Sequence, residues 1–430
     1  MTSNESILKF FGISDPNIQF IDTNEPKRVK RNGVYCKQYE AVLTYTPTHC
    51  DKCGCKNQNY SIIKNGSKFS HILFGDINYE QTILRLKKQR FLCRECNSTF
   101  IAQTPLVQPN CQISDIKHKR MLDLLNEEVA MKTIAKQVGL SVSTVVRKLS
   151  VLSEKFEKPK GLPSVLCIDE FSQAGRTMNF IMMDGESHKI LDIMPGRTNE
   201  ALREYFNRFD ISIRLKVKYV IMDMYGPYFN LFQELFPKAE VVIDLFHVVQ
   251  HLNRSLNRIR VETMNKFRYR QPSEYRKLKT YWKLILKNKD ELTFENPRYS
   301  RLFKREITEQ EIVDYLLSLD ETFATAYRVI NEIKLSISLK DPDLFLSDLF
   351  ESRKYHLRQY VRTTLKSIEK YQEAIALGLI TRYTNGPLEG LNNRIKNIKR
   401  SGYGYRNFWH LRARIMLVTG SKDYKEQAAA

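Results

Sequence analysis

Between Val165 and His247 the chain repeats one pattern, a short apolar run that stops at an acidic residue. Val165-Leu-Cys-Ile runs into Asp169, Val217-Lys-Tyr-Val-Ile-Met into Asp223, and Ala239-Glu-Val-Val-Ile into Asp244. Apolar runs this short, bounded by polar residues, read as strands, and the stretches Asn199 to Phe206 and Tyr228 to Phe236 between the later ones read as helices. Asn179-Phe-Ile-Met-Met-Asp184-Gly185 closes on an Asp-Gly hairpin turn, and Lys189-Ile-Leu-Asp-Ile-Met returns beside it. The order is three antiparallel-type strands, helix, strand, helix, strand. That order points to a mixed α/β sheet, because strands reached through helical crossovers run parallel to their neighbours.

This is the layout of an RNase H-like core. In such a sheet neighbouring strands set Asp169 and Asp223 side by side, although 223 − 169 = 54 positions separate them. Two adjacent carboxylates repel each other and are costly to bury unless cations neutralise them. Hard divalent ions such as Mg²⁺ favour an all-oxygen environment, and two of them ~3.5–4 Å apart activate an attacking oxygen and stabilise a leaving one at phosphorus. That geometry needs a third acid. The best candidate is Glu389 in Asn385-Gly-Pro-Leu-Glu-Gly-Leu-Asn-Asn393, where Pro387 suits the first turn of a helix. Asn393 and Lys396 follow Glu389 at i+4 and i+7 on the same face, where both are expected to contact the DNA phosphate. Asp184 reads as the hairpin former, and Glu170 is expected to face away from Asp169 by strand alternation. Asp244 and His247 read either as a pair supporting the site or as a strand-to-helix cap.

The chain as a whole is basic, a chemistry complementary to DNA. Its 430 residues carry 69 Lys+Arg against 48 Asp+Glu, a formal charge of +21, which suggests a polyanion partner. Residues 394–414 hold seven of these cations and no acid. Arg394, Lys396, Lys399, Arg400 and Arg406 are expected DNA contacts, with Tyr403, Tyr405, Phe408 and Trp409 offering rings for an unstacked base. In residues 131–148, Ile134, Ala135 and Val138 form one helical face, Gly139 ends that helix and Ser141 can cap a second. The second helix would carry Ser143, Thr144, Arg147 and Lys148 outward, as the recognition helix of a helix-turn-helix does. Cys50-Asp-Lys-Cys53 and Cys93-Arg-Glu-Cys96 are paired at the spacing of zinc knuckles, with Cys55 a rival for Cys53. The 39 residues between the knuckles must hold strands of their own. Turn chemistry such as Asn65-Gly66 fits that segment. Four thiolates with no open position would make the zinc structural. No apolar run reaches the ~20 residues of a membrane span, and the N-terminus lacks the blocks of a signal peptide. The expected setting is cytoplasmic, nucleoid-associated in a prokaryotic cell.

Taken in order, Ile168-Asp169-Glu170, Val220-Ile-Met-Asp223-Met, Asp244-Leu-Phe-His247-Val, Glu389-Gly-Leu-Asn-Asn-Arg-Ile-Lys and Gly402-Tyr-Gly-Tyr-Arg-Asn-Phe408 resemble the DDE transposases of the ISL-three insertion-sequence family. The resemblance implies a multidomain α+β protein: a zinc ribbon over 1–110, a helix-turn-helix over 111–160, and an RNase H-like catalytic domain over 161–254 and 381–430. An all-helical insertion over 255–380 would interrupt that domain. It implies Asp169, Asp223 and Glu389 as catalytic ligands of two Mg²⁺ or Mn²⁺ ions, with Asp244 and His247 supporting them. One structural Zn²⁺ at Cys50, Cys53, Cys93 and Cys96 is expected from the knuckles. The activity implied is hydrolysis at the inverted-repeat ends of an insertion sequence, then strand transfer, by a homodimer acting on double-stranded DNA. The competing readings are a DNA-binding regulator with a catalytically silent body, and a nuclease without strand transfer.

Overall fold

The computed structural model describes residues 4–21, 25–31, 34–78, 80–173, 175 and 177–420. Two compact units divide the chain: residues 1–157 with 397–430, and residues 158–396. The basic stretch after residue 396 thus belongs to the first unit, whereas the sequence groups 381–430 as one piece of the second.

The second unit is built on a five-stranded sheet. Val165–Ser172, Met178–Asp184 and Ile190–Pro195 pair antiparallel in sequence. Tyr219–Met222 then lies parallel to Val165–Ser172 on its other side, and Glu240–Ile243 parallel to Tyr219–Met222. Both faces of the central strands are covered, so Val165 to Ile168 and Asn179 to Met183 are buried without alternation. The helices Asn199–Asn207 and Gly226–Leu235 cover one face with phenylalanines. Phe206 meets Phe232 and Phe236 with ring centroids 5.6 and 5.2 Å apart, and Phe232 stacks over Phe180 of the sheet at 6.2 Å. Such ring pairs add ~0.5–1.5 kcal/mol each beyond the area they bury.

A 22-residue helix, Leu245–Lys266, leaves the last strand and opens the helical region. Glu309–Ser318, Glu321–Leu339, Pro342–Glu351, Gln359–Lys370 and Gln372–Thr381 continue it. One feature departs from the all-helical expectation. Arg298–Ser300 and Arg305–Ile307 pair as a small antiparallel hairpin, whose three-residue strands are too short to show periodicity. The chain then returns to the sheet through the helix Gly386–Ser401.

In the first unit a six-stranded sheet joins Val34–Leu43 parallel to Thr82–Cys93, with Ile62–Leu73 antiparallel at the far edge. Its inner face packs Ile18, Leu43, Ile72, Leu84 and Leu86 against Leu8 and Phe11 of the helix Asn4–Phe11. Asn65-Gly66 is not a turn between strands. It is a register shift inside the strand Ile62–Leu73, where Gly66 takes φ +74°. Three helices follow: Asp115–Leu125, Met131–Val138 and Val142–Lys155, with Phe408–Thr419 packed on them.

Candidate active site and metal centres

The parallel ladder between Val165–Ser172 and Tyr219–Met222 pairs Tyr219 with Val165 and Ile221 with Cys167. Continuing that register by two residues sets Asp223 opposite Asp169, just beyond the last paired residues. A cleft of about 390 Å³ opens there, lined by Asp169, Glu170, Arg197, Asp223, His247 and Arg254 among others.

The helix Gly386–Ser401 closes over the strand end through two buried asparagines. Asn385 Nδ2 donates to the carbonyl of Ile168 at 3.0 Å, and Asn392 Nδ2 to Asp169 Oδ2 at 2.6 Å. Glu389 stands at i+4 from the first and i−3 from the second, so the three share one helical face. Glu389 itself is exposed and does not line the cleft, yet its charge bears on Asp223. Asn393, the residue singled out from sequence, is exposed and accepts from Lys396 Nζ at 3.0 Å. Spacing could have found Asn392 instead, because i+3 from Glu389 and i+7 from Asn385 describe the strand-facing side.

Burial and mutual repulsion dominate the electrostatics. Desolvation first, and then the charge of Asp223, push the Asp169 carboxyl up to about 7 against the pull of the Glu170 amide. Desolvation also raises Asp223, with Asp244 and Glu170 adding to it, to about 6 against the pull of the nearby Asn385 amide. Asp223, Asp244 and His247 bring one ligand atom each to within 4.8 Å of one another, a grouping that includes neither Asp169 nor Glu389. Nε2 of His247 lies 3.1 Å from Oδ1 of Asp223. Asp244 caps the helix Leu245–Lys266 by accepting from Phe246 N, and it stands beside Asp223. It also accepts from the Thr384 hydroxyl at 3.2 Å.

Buried oxygens without hydrogen-bond partners gather here: Oδ1 of Asp223, of Asn385 and of Asn392. A cluster of carboxylates with orphaned buried acceptors is a donor set that suits a hard divalent cation. Glu170 departs from its expected orientation. It lines the same cleft as Asp169, held by the Tyr228 hydroxyl and by Arg197 Nη1 at 2.5 Å. His251 and Arg254, one and two turns beyond His247, line the cleft too and escaped sequence reasoning; their i+4 and i+7 spacing was the available signal.

In the first unit Cys50, Cys53, Cys93 and Cys96 form the other ligand grouping. Sulfurs ~2.3 Å from a central zinc in tetrahedral array are ~3.8 Å apart. Cys50–Cys96 and Cys53–Cys93 are each separated by 3.8 Å, whereas Cys55 sits only 3.3 Å from Cys93. The set that meets a tetrahedral edge contains Cys53, and it could hold zinc. The backbone N–H of Cys96 holds the Cys93 thiol down to about 6, the direction a metal ligand needs. Gly54, at φ +73°, turns the first knuckle, and the strands Ile62–Leu73 and Thr82–Cys93 fill the segment between the two.

In the helix pair that follows, Ile134, Ala135 and Val138 are buried, Gly139 ends its helix at φ +62°, and Ser141 Oγ accepts from Thr144 N at 3.2 Å. Ser143 and Arg147 are exposed and Thr144 is half-buried. Lys148 does not point outward as expected. It is half-buried near Asp115, and burial, then the repulsion of Lys155, holds its ammonium below the usual lysine range. The basic tail also differs from a solvated basic face. Arg394, Lys396, Arg400 and Arg406 are exposed, but Arg412, Arg414 and Tyr405 are buried. The Arg414 guanidinium donates to the carbonyls of Leu125, Glu127 and Val129, where the helix Asp115–Leu125 ends. Of the rings, Tyr403 and Trp409 remain exposed.

Comparison with known proteins agrees with the sequence motifs. The transposase for insertion sequence element IS1001 of Bordetella parapertussis is 24% identical over 384 residues, covering 87% of this chain and 88% of that one. A protein of Lactococcus lactis described as an ATP-dependent protease is 32% identical over 129 residues, 29% of this chain and 41% of its own. No Gly of the present chain is followed by Lys, as a Gly-Lys-Ser/Thr phosphate loop requires. Residues 166–415, more than half the chain and including every acid of the cleft, match the family described as Transposase, the ISL-three group of DDE enzymes. The chain belongs to the ISL-three transposase family.

Proposed function

We propose that this transposase binds the inverted-repeat ends of an insertion sequence and catalyses metal-dependent phosphodiester hydrolysis followed by strand transfer. The observation that carries the reading is the pair of half-buried carboxylates, Asp169 and Asp223, brought opposite each other at adjacent ends of parallel strands, both held above the usual carboxylate range. The strand order, with Val165–Ser172 central and the antiparallel hairpins on one side, supports an RNase H-like catalytic domain. Asp169, Asp223 and Glu389 would hold two Mg²⁺ or Mn²⁺ ions, which supply charge neutralisation for the attacking and leaving oxygens at phosphorus. The chain's own residues prepare that site. Asn392 and the Glu170 amide orient the Asp169 carboxylate, each through a 2.6 Å hydrogen bond. Asn385 anchors the Glu389 helix to the strand that carries Asp169. Asp244 and His247 stand against Asp223 and would support its carboxylate.

The helix pair supports a helix-turn-helix reading, with Ser143, Thr144 and Arg147 presented to the major groove and the zinc ribbon adding a second DNA surface. Asn393, Arg394, Lys396, Lys399, Arg400 and Arg406 would contact the backbone. Two ends must be cut in concert, so a homodimer is the expected active form.

A labelled duplex carrying the terminal inverted repeat, incubated with the protein and Mg²⁺, tests this. The expected products are a nick at the element boundary that leaves a 3′-OH, and joining of a precut end to plasmid DNA. Tight binding of the duplex with neither product, across Mg²⁺ and Mn²⁺ and a range of salt, would favour the silent regulator.

A further inference from the structure

We infer that Arg197 is a clamp for the phosphate backbone of the DNA strand entering the cleft, with Glu170 and Tyr228 as the residues that position it. The inference rests on the transposase reading of that cleft. Its starting point is electrostatic: the cleft gathers Asp169, Glu170 and Asp223, and a DNA strand arriving there is itself an anion. Cations that face the strand directly are therefore needed besides any metal.

Arg197 is built for that task. It follows Gly196, whose φ of +77° turns the chain out of the strand Ile190–Pro195, and precedes Thr198, which caps the helix Asn199–Asn207 by accepting from Ala201 N. Its Nη1 donates to Glu170 Oε2 at 2.5 Å. The buried Tyr228 hydroxyl donates to the other carboxylate oxygen of Glu170 and also lies 2.9 Å from the carbonyl of Arg197. One tyrosine thus touches both the carboxylate that holds the guanidinium and the backbone that carries it. Glu170 is 15% exposed in this arrangement, yet the Arg197 side chain is 48% exposed and lines the cleft with Asp169 and Asp223. A guanidinium has five N–H donors in a rigid fork, so an edge engaged by Glu170 leaves donors for phosphate oxygens.

The other arginine of the cleft, Arg254, donates to Gln250, a neutral partner on its own helix. Arg203, six residues further on, gives a contrast. Arg203 makes a bidentate pair with Glu234, both well exposed, and does not line the cleft. An Arg–Glu pair of purely structural use would behave as Arg203 does.

The test uses the full-length protein and the terminal-repeat duplex. Equilibrium binding is followed from low to high salt for wild type, Arg197→Ala, Arg197→Lys, Tyr228→Phe and Arg203→Ala, and nicking kinetics are run alongside. Loss of one phosphate contact lowers the slope of log K against log salt by ~1. Arg197→Ala is expected to show that loss, about tenfold weaker binding and a raised KM. Arg197→Lys should restore the salt slope but not the full affinity, since the ammonium lacks the fork. Tyr228→Phe should keep the slope and lose part of kcat, because the cation is present but no longer aimed. Arg203→Ala should match wild type.

An unchanged salt slope and KM in Arg197→Ala, or an equal effect in Arg203→Ala, would overturn the inference. The binding arm reads Arg197 even if wild type fails to nick, whereas that failure counts against the transposase chemistry alone.

Discussion

Replacing Asp169 by Asn should make the metal-free protein more stable while abolishing its activity. The carboxyl titrates in the folded protein at about 7, against 3.8 for an unperturbed one, chiefly because it is buried. Between those values the folded state holds a proton that the unfolded state has released. Stability therefore falls as pH rises through that window, and the full penalty is present above pH 7. About three pKa units at ~1.4 kcal/mol each set a ceiling near 4 kcal/mol. Part of this is returned, because both oxygens of Asp169 accept hydrogen bonds, one from Glu170 N and one from Asn392 Nδ2. An amide can accept only one of them, a loss of about 1 kcal/mol. The net expectation at pH 8 is a stabilisation of about 2–3 kcal/mol, or roughly 5–10 °C in Tm for a unit of this size. Thermal unfolding with chelator at pH 4.5, 6 and 8 measures it. The difference between variant and wild type should be small at pH 4.5, grow through pH 6 and level off above 7. Adding Mg²⁺ at pH 8 should raise wild-type Tm and move the variant less, because only a ligand that binds the folded state shifts it. A difference that does not change with pH, or a variant less stable at pH 8, would refute the argument that an uncompensated carboxylate is buried here.

Further outcomes follow from the first unit. One zinc per chain is expected by metal analysis, lost in Cys93→Ser and kept in Cys55→Ser, with chelation lowering the unfolding temperature of the first but not the second unit. Arg414→Leu removes the donor for three backbone carbonyls, so it should destabilise the helix pair by about 3 kcal/mol at ~1 kcal/mol per lost bond. Urea unfolding with and without end DNA would show that loss, and an unchanged midpoint would mean that the guanidinium is not holding the helix end. Arg147→Ala should reduce the salt slope of end binding by ~1, while Lys148→Ala, half-buried near Asp115, should affect stability more than that slope. Equal slopes for the two variants would count against this placement of the helix.

The strands and acids of the cleft were legible because their cause is local. A run such as Val-Leu-Cys-Ile cannot be solvated, and an acid after it marks where the sheet ends. The paired cysteines were legible for a similar reason, since two thiols two residues apart serve one ion.

What escaped depends on contacts distant in sequence. Strand alternation places Glu170 and Asp169 on opposite faces, and the antiparallel neighbour Met178–Asp184 continues beside both. The parallel partner, however, is paired only as far as Cys167, so on that side the strand end is open; Asp169 and Glu170 both line the cleft there, and Tyr228 and Arg197 capture Glu170. Asn392 rather than Asn393 meets Asp169 because the helix face is set by its docking on the strand carrying Ile168, which no local pattern encodes. Arg412 and Arg414 belong by composition to the same cation-rich stretch, but are buried. For Arg414 the partners are carbonyls 285 to 289 residues away, and these too are invisible in composition.

The central claim is that Asp169, Asp223 and Glu389 act together on phosphodiester bonds. Cleavage of a labelled element-end duplex in Mg²⁺ by wild type, Asp169→Ala, Asp223→Ala and Glu389→Ala, with binding measured on the same samples, tests it most directly. The expected result is a boundary nick by wild type only, with all three variants binding the end as wild type does. Cutting that persists in any one of the three variants would contradict the three-acid site.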